Sequence, residues 1–341
     1  MGSGGSSSLD MVYSILAVSI AASVLFLVFS VEPVWADPYA YDGYGDSDGW
    51  IVTSDTRLTG DLFFDGDGIT IGADGVVLDL NGHSIHGSGS GVGVRVLHRG
   101  DVTVRGGRGG LVEGFEFGVY IEGSSDVRVG SLKVRDCTYG VFIWSSVDVR
   151  VRWSLISDNG VGINSFNSIV YVIGNGIRVN NLYGVYLDSS TSTVRGNIIS
   201  KNGMGVFTYS STSVSIHSNT IKENDIGLNI VDSKVTIKGN LITANGEFGV
   251  YLHNTDGRIS RNIIKRNLRY GIYILSSDVT LKENVITQND VGVAIYSSNP
   301  TLIRNKITNN TSFGVYCSQD SNPTMRGNKI RNNGTDYYKE N

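Results

Sequence analysis

A glycine recurs at Gly118, Gly140, Gly162, Gly184, Gly205, Gly227, Gly249, Gly271, Gly292 and Gly314, each followed by an apolar residue. The nine steps between them are all 21 or 22 residues, which marks a stack of ten repeats, each too short to bury its own apolar face. Two further columns keep the same step. Asn175, Asn197, Asn219, Asn240, Asn262, Asn284, Asn305 and Asn328 each stand two before an isoleucine, and Asn180, Asn202, Asn224, Asn245, Asn267, Asn289, Asn310 and Asn333 follow five residues later. Three registered columns restrict the chain to a solenoid, with function on its outer surface.

The unit from Gly227 to Gly249 shows how one repeat folds. Apolar residues stand two apart in short runs, at Leu228 and Ile230, then Val235 and Ile237, with Ile242 beyond. That period means strands, and Asp232-Ser233, Gly239-Asn240 and Asn245-Gly246 between them are turn formers. The unit lacks the leucine framework and helical return of a leucine-rich repeat, and its Val, Ile, Thr and Ser content suits strands. The expected fold is therefore all-β: a single-stranded parallel β-helix, right-handed as parallel crossovers are, with three short strands per turn and about 12 turns of 21–22 residues. At about 4.8 Å per turn, the nine regular steps span about 43 Å. Equivalent asparagine amides in successive turns can hydrogen-bond up the stack, so both columns are read as structural.

With 341 residues, 44 Gly, only 4 Pro and a net charge of −4, the composition suits one elongated β domain, placed at 50–335 with a tail at 336–341. Nothing in the charge balance points to nucleic acid, and no feature sets an oligomeric state. Residues 1–10 are a low-complexity extension. Residues 11–36 read as a signal peptide or membrane anchor: 11–31 carry no charge and are long enough to span a bilayer, and Val34-Trp35-Ala36 resembles a cleavage site. No Lys or Arg precedes Arg57, so the usual basic flank is missing. Either reading puts the repeats outside the cytoplasm, with membrane contact only through 11–31 if that segment is retained. Residues 37–49 form an acidic, Tyr- and Gly-rich linker. Asp46, Asp48 and Gly49 resemble part of a calcium loop, but Tyr44 takes the place of the first ligand and no Glu closes it, so calcium is unsupported. Cys137 and Cys317 lie eight turns apart, about 38 Å along the axis, too far for a disulfide.

From Trp50 onward, and above all in VVLDLNGHSIHG from Val76 to Gly87, the sequence resembles the right-handed parallel β-helix proteins of the periplasmic copper-protein NosD type, grouped as carbohydrate-binding and sugar-hydrolysis domains. The resemblance covers about 50–335. It implies an exported solenoid that binds, and in some relatives processes, polysaccharide or cell-envelope glycan; if the chain is an enzyme, the implied class is a polysaccharide lyase, epimerase or glycoside hydrolase. The alternative is a structural or adhesive surface solenoid, or a NosD-like accessory protein. Copper also comes with the resemblance, yet copper sites draw on Met, Cys or imidazole, and the chain has 4 Met, 2 distant Cys and 5 His. His83 and His86 are three apart on a strand and so are expected on opposite sides. No metal or other cofactor is expected.

If the residues one and three after each repeat glycine point inward, those two and four after it point outward. The first outward column includes Tyr120, Phe142, Tyr186, Phe207, Tyr251 and Tyr273, and the second Trp144, Phe166, Asp188, Tyr209 and His253. Together they predict a flat aromatic strip suited to sugar faces, or a ladder of rings that stabilises the sheet. The candidate substrate-binding residues are Trp144, Tyr186, Asp188, Tyr209, Tyr251, His253 and Tyr273. Asp256 and Asp278 occupy equivalent places in neighbouring turns, a spacing that suits retaining glycoside hydrolysis, and are the candidate catalytic pair; recurrent turn aspartates such as Asp126 and Asp148 give the competing reading. A basic column at Arg152, Arg195, His217, Lys238, Lys282 and Arg326 either holds an anionic polymer or keeps the surface soluble.

Overall fold

The computed structural model describes residues 49–341, so the N-terminal extension, the segment 11–36 and the linker up to residue 48 lie outside the described residues. Among the described residues every regular element is a strand, and no helix is long and apolar enough to cross a membrane. The strands form three parallel sheets of 14, 13 and 13 strands, each turn giving one strand to each sheet. The first sheet runs from Trp50–Val52 to Thr335–Lys339, the second from Thr56–Arg57 to Thr324–Arg326, and the third from Leu62–Phe63 to Lys329–Arg331. That makes thirteen turns and a closing strand, and the closing strand runs through 336–339, which the sequence assigned to a tail.

The glycine column is steric. A Cβ on Gly205 would lie 2.5 Å from the Gly227 carbonyl oxygen and 3.0 Å from both Asn224 Nδ2 and Ile221 Cγ2. Gly49, Gly68 and Gly93 hold the same place in the first turns, each against the backbone of the next column member. Their steps of 19, 25 and 25 residues break the regular spacing, which is why the count of about 12 falls short of the thirteen turns observed.

Each corner of the coil carries its own buried polar ladder. At the corner after the third strand, Asn180 Nδ2 donates to Asn202 Oδ1 at 2.9 Å and Asn202 Nδ2 to Asn224 Oδ1 at 3.0 Å. After the second strand the other asparagine column does the same, as in Asn197 to Asn219 at 3.0 Å. The first corner holds a ladder the sequence reading missed: the backbone N–H of Ser146 donates to Ser168 Oγ at 3.0 Å, that of Ser168 to Ser190 Oγ at 3.2 Å, and that of Ser190 to Ser211 Oγ at 3.1 Å. A left-handed residue precedes each ladder residue and makes the bend, as Ser189 (φ 48°), Gly196 (φ 65°) and Lys201 (φ 58°) do in one turn.

Between the corners the interior is aliphatic. Val185, Leu187, Val194 and Ile199 are fully enclosed and stack on their equivalents in the turns above and below. Each turn therefore buries its apolar side chains mainly against its neighbours. Both cysteines are free and buried, in different columns. Cys317 continues the inward row of Ile295, and Cys137 heads an asparagine ladder, its N–H donating to Asn159 Oδ1 at 3.1 Å. Burial pushes the Cys137 thiol up to about 11.

Candidate functional site

The first sheet is the widest, with strands of five or six residues over most of its length, and its outer face carries the aromatic residues. The residues one and three after each glycine are enclosed, as expected: Val119 and Ile121, Val185 and Leu187, Ile272 and Ile274. The glycine itself also turns inward, so the residue before it joins the outer face. This adds a column of rings absent from the sequence reading, with Phe117, Tyr139, Tyr183, Phe248, Tyr270 and Phe313 one before their glycines.

The two columns interlock. Phe117 packs edge-on against Tyr120 and Phe142 at 5.3 Å each, and Phe248 against Tyr251 and Tyr273 at 5.4 Å each. Along the axis the rings stack nearly parallel: Tyr120 on Phe142 at 5.5 Å and 2°, Tyr186 on Phe207 at 5.2 Å and 13°, Tyr251 on Tyr273 at 5.5 Å and 14°. Trp144 stacks on Phe166 at 4.3 Å. Ring faces cover one another here, so of the two readings the geometry takes the form of the ladder, with rings facing along the axis, because one strand spacing is close to the stacking distance of aromatic rings.

Burial sorts the candidate residues. Tyr251 is 3% exposed and Tyr273 8%, whereas Tyr209 is 40% exposed. Burial pushes the Tyr251 hydroxyl up to about 12 and raises those of Tyr186 and Tyr273 as well. Asp188 is 5% exposed, although it stands on the outer face in register between Phe166 of one turn and Tyr209 of the next. Its carboxylate accepts from Tyr186 Oη at 3.1 Å and from Ser189 Oγ at 2.8 Å. Burial nevertheless holds its pKa above the usual aspartate value. His253 lies two turns beyond Tyr209 in the same column, aligned with Val231 and Leu275.

Asp256 and Asp278 lie on the second sheet's side of the coil, away from these rings. They stand at the same offset before the paired residues Arg258 and Thr280, so their equivalence between turns holds. Both are exposed, and each has a partner of its own: Asp256 pairs with Lys234 at 3.8 Å, and Asp278 Oδ1 accepts the Asn299 backbone N–H at 2.6 Å.

The copper ligand types do not converge. His83 Nδ1 lies 3.4 Å from Asp61 in the turn before, and His86 Nδ1 lies 2.9 Å from Glu113 in the turn after, so the two imidazoles engage in opposite directions along the axis. The Met204 sulfur meets Asn229 Nδ2 at 3.4 Å, and the thiols are buried apart. Among the described residues no three His, Cys, Asp or Glu side chains are placed to share an ion. The described residues do not fit a copper centre.

The family model described as periplasmic copper-binding protein (NosD) matches residues 68–245, more than half of the chain. The chain belongs to the NosD family. A second model, described as right handed beta helix region, matches residues 248–339 and gives the coil its hand. Among solved structures, this NosD-family chain is similar to the periplasmic alginate epimerase AlgG, with 17% identity over 82% of this chain and 76% of that one and a TM-score of 0.57. It also matches the Azotobacter vinelandii mannuronan C-5 epimerase AlgE4 A-module, with 16% identity over 86% and 87% of the two chains and a TM-score of 0.49. At such identities the likeness is one of fold. No curated protein sequence matches significantly.

Proposed function

We propose that the protein is an extracytoplasmic, polysaccharide-binding solenoid that takes its glycan on the outer face of the first sheet, over Asp188 and Tyr209. The observation that carries this reading is Asp188 itself, a carboxyl held at 5% exposure on an outer face among aromatic residues, with its pKa raised by burial. Burying a carboxylate is unfavourable, and a bulkier apolar residue would have continued the ladder at that place. A carboxylate beside an accessible ring is a pairing that binds sugar well, the acid accepting hydroxyl protons and the ring covering an apolar sugar face. The fold shared with a periplasmic alginate epimerase, and the periplasmic description of the family, support an extracytoplasmic glycan as partner. A carboxyl on that face favours a neutral glycan there over a uronate.

Binding without turnover is the form the site supports, since the Asp188 carboxyl is hydrogen-bonded to a tyrosine and a serine rather than set against a second acid. Asp256 and Asp278 remain the candidates for turnover. The test is retention on immobilised neutral glycans. Tyr209→Ala should weaken retention about tenfold, about 1.4 kcal/mol, with little change in melting temperature. Tyr251→Ala, which removes a buried rung, should lower the melting temperature instead. If retention is unchanged by Tyr209→Ala, the ladder is scaffold alone. If the parent degrades a bound glycan and Asp256→Asn with Asp278→Asn stops this without altering retention, the protein is an enzyme.

A further inference from the structure

Many charges on this solenoid meet opposite partners within a turn or at the turn spacing. Arg128 takes Asp101 and Asp126 at 2.8 Å each, Arg261 takes Glu283 at 2.8 Å, and Arg269 takes Glu247 at 3.5 Å. A run of basic side chains on the second sheet stands apart from these pairs. Arg195, His217 and Lys238 stand in direct register on three successive turns of the second sheet, and Arg258 lies one turn beyond, paired with Thr236 on the adjacent column. Among the described residues none of these four has an acidic partner, whereas their neighbours Lys234 and Lys282 do.

Arg195 and Lys238 flank His217 from the two adjacent turns, about 9.6 Å apart, so two permanent cations share the row with no acid between them. Burial, with the charges of Arg195 and Lys238, holds the His217 pKa below the ordinary histidine value, so the imidazole feels both flanking cations. Protection of a sheet edge does not account for the row. It lies in the middle of a 13-strand sheet, with strands on both sides. Solubility does not require it either, because the alternating pairs elsewhere serve that end without repulsion.

We propose that this row is a second binding site, for an extended anionic polysaccharide lying along the solenoid axis over Arg195, His217 and Lys238. Beside the cations runs a hydroxyl column in register, Thr193, Ser215 and Thr236, which supplies neutral hydrogen-bonding groups at the same spacing. The outward residues of these strands are Thr, Ser, Lys, Arg and a single His, with no Phe, Tyr or Trp for successive bases to stack on, which favours a glycan over single-stranded nucleic acid. The site lies on a different sheet from Asp188 and Tyr209 and does not depend on them.

The test is retention of the full chain on immobilised polygalacturonate, against a fully methyl-esterified gel that has the same backbone without the charge. The parent should bind the acid form at least tenfold more tightly than the ester and release it as ionic strength rises from about 0.05 to about 0.5 M. The triple variant Arg195→Gln, His217→Gln, Lys238→Gln should lose at least tenfold on the acid gel while melting within a few degrees of the parent. Should that variant fold poorly, Lys238→Glu alone should give the same loss. Tyr209→Ala should bind the acid gel as the parent does, which separates this site from the aromatic one. Equal binding to the two gels, unchanged binding by the row variants, or tighter binding of an oligothymidylate than of polygalacturonate would overturn the proposal.

Discussion

Asn197 Oδ1 accepts two hydrogen bonds from Asn175 in the preceding turn, from its backbone N–H at 2.8 Å and its side-chain N–H at 3.1 Å. Asn197 Nδ2 in turn donates to the Val172 carbonyl at 2.9 Å and to Asn219 Oδ1 at 3.0 Å. Every polar atom of the amide is used, in a corner no water reaches.

Asn219→Ala should therefore cost more than the loss of one bond. It removes the acceptor for two Asn197 donors and one donor to the Val194 carbonyl, leaving buried groups short of partners at about 1–3 kcal/mol each. Asn328→Ala, near the end of the same ladder and less enclosed, should cost markedly less. Urea unfolding of the two variants measures the difference, and equal losses would contradict it.

Two glycines separate steric from conformational need. Gly205→Ala places a methyl 2.5 Å from the Gly227 carbonyl oxygen and should unfold or split the coil at that turn. Gly196 has open space around its Cβ position and φ of 65°, so Gly196→Ala should cost only about 1 kcal/mol for the left-handed backbone. Thermal melts that rank them the other way would overturn the assignment of the glycine column.

Thr208 points into the aliphatic core between Leu187 and Ile230, and its buried hydroxyl has no hydrogen-bond partner. Thr208→Val keeps the shape and removes the unpaired group, so it should stabilise the protein by about 1 kcal/mol. A lower unfolding midpoint for the valine variant would show that the hydroxyl has a partner after all.

Much of this was legible in the sequence because a solenoid repeats each contact at a fixed step. The asparagine columns, the inward pairs such as Val185 and Leu187, and the separation of Cys137 from Cys317 all follow from that spacing. The serine ladder kept the same step, but serine is common in turns and its buried role shows only once the corner is built. The column of Phe117 and Tyr139 was missed because strict alternation puts the residue before the glycine inside, whereas the backbone turns the glycine and its successor inward together. The early turns were blurred by the steps of 19 and 25 residues. Asp188 was named from its position, but its burial depends on the rings stacked around it, which no single repeat reveals.

The raised pKa of Asp188 fixes the sign of its pH effect. A carboxyl whose folded pKa lies above its unfolded value binds protons more tightly when folded, so its contribution to stability falls as pH rises out of the ordinary carboxylate range. Asp188→Asn should melt close to the parent near pH 4 and above it near pH 7. A constant difference across that range would show that the carboxyl is not desolvated.

The most direct measurement is a crystal structure of the protein soaked with the neutral oligosaccharide it retains best. The glycan should lie on the outer face of the first sheet, with a sugar hydroxyl in hydrogen-bond contact with Asp188 and a sugar face against Tyr209. A sugar seated instead beside Asp256 and Asp278, or on the third sheet, with the Asp188 face bare, would contradict the account.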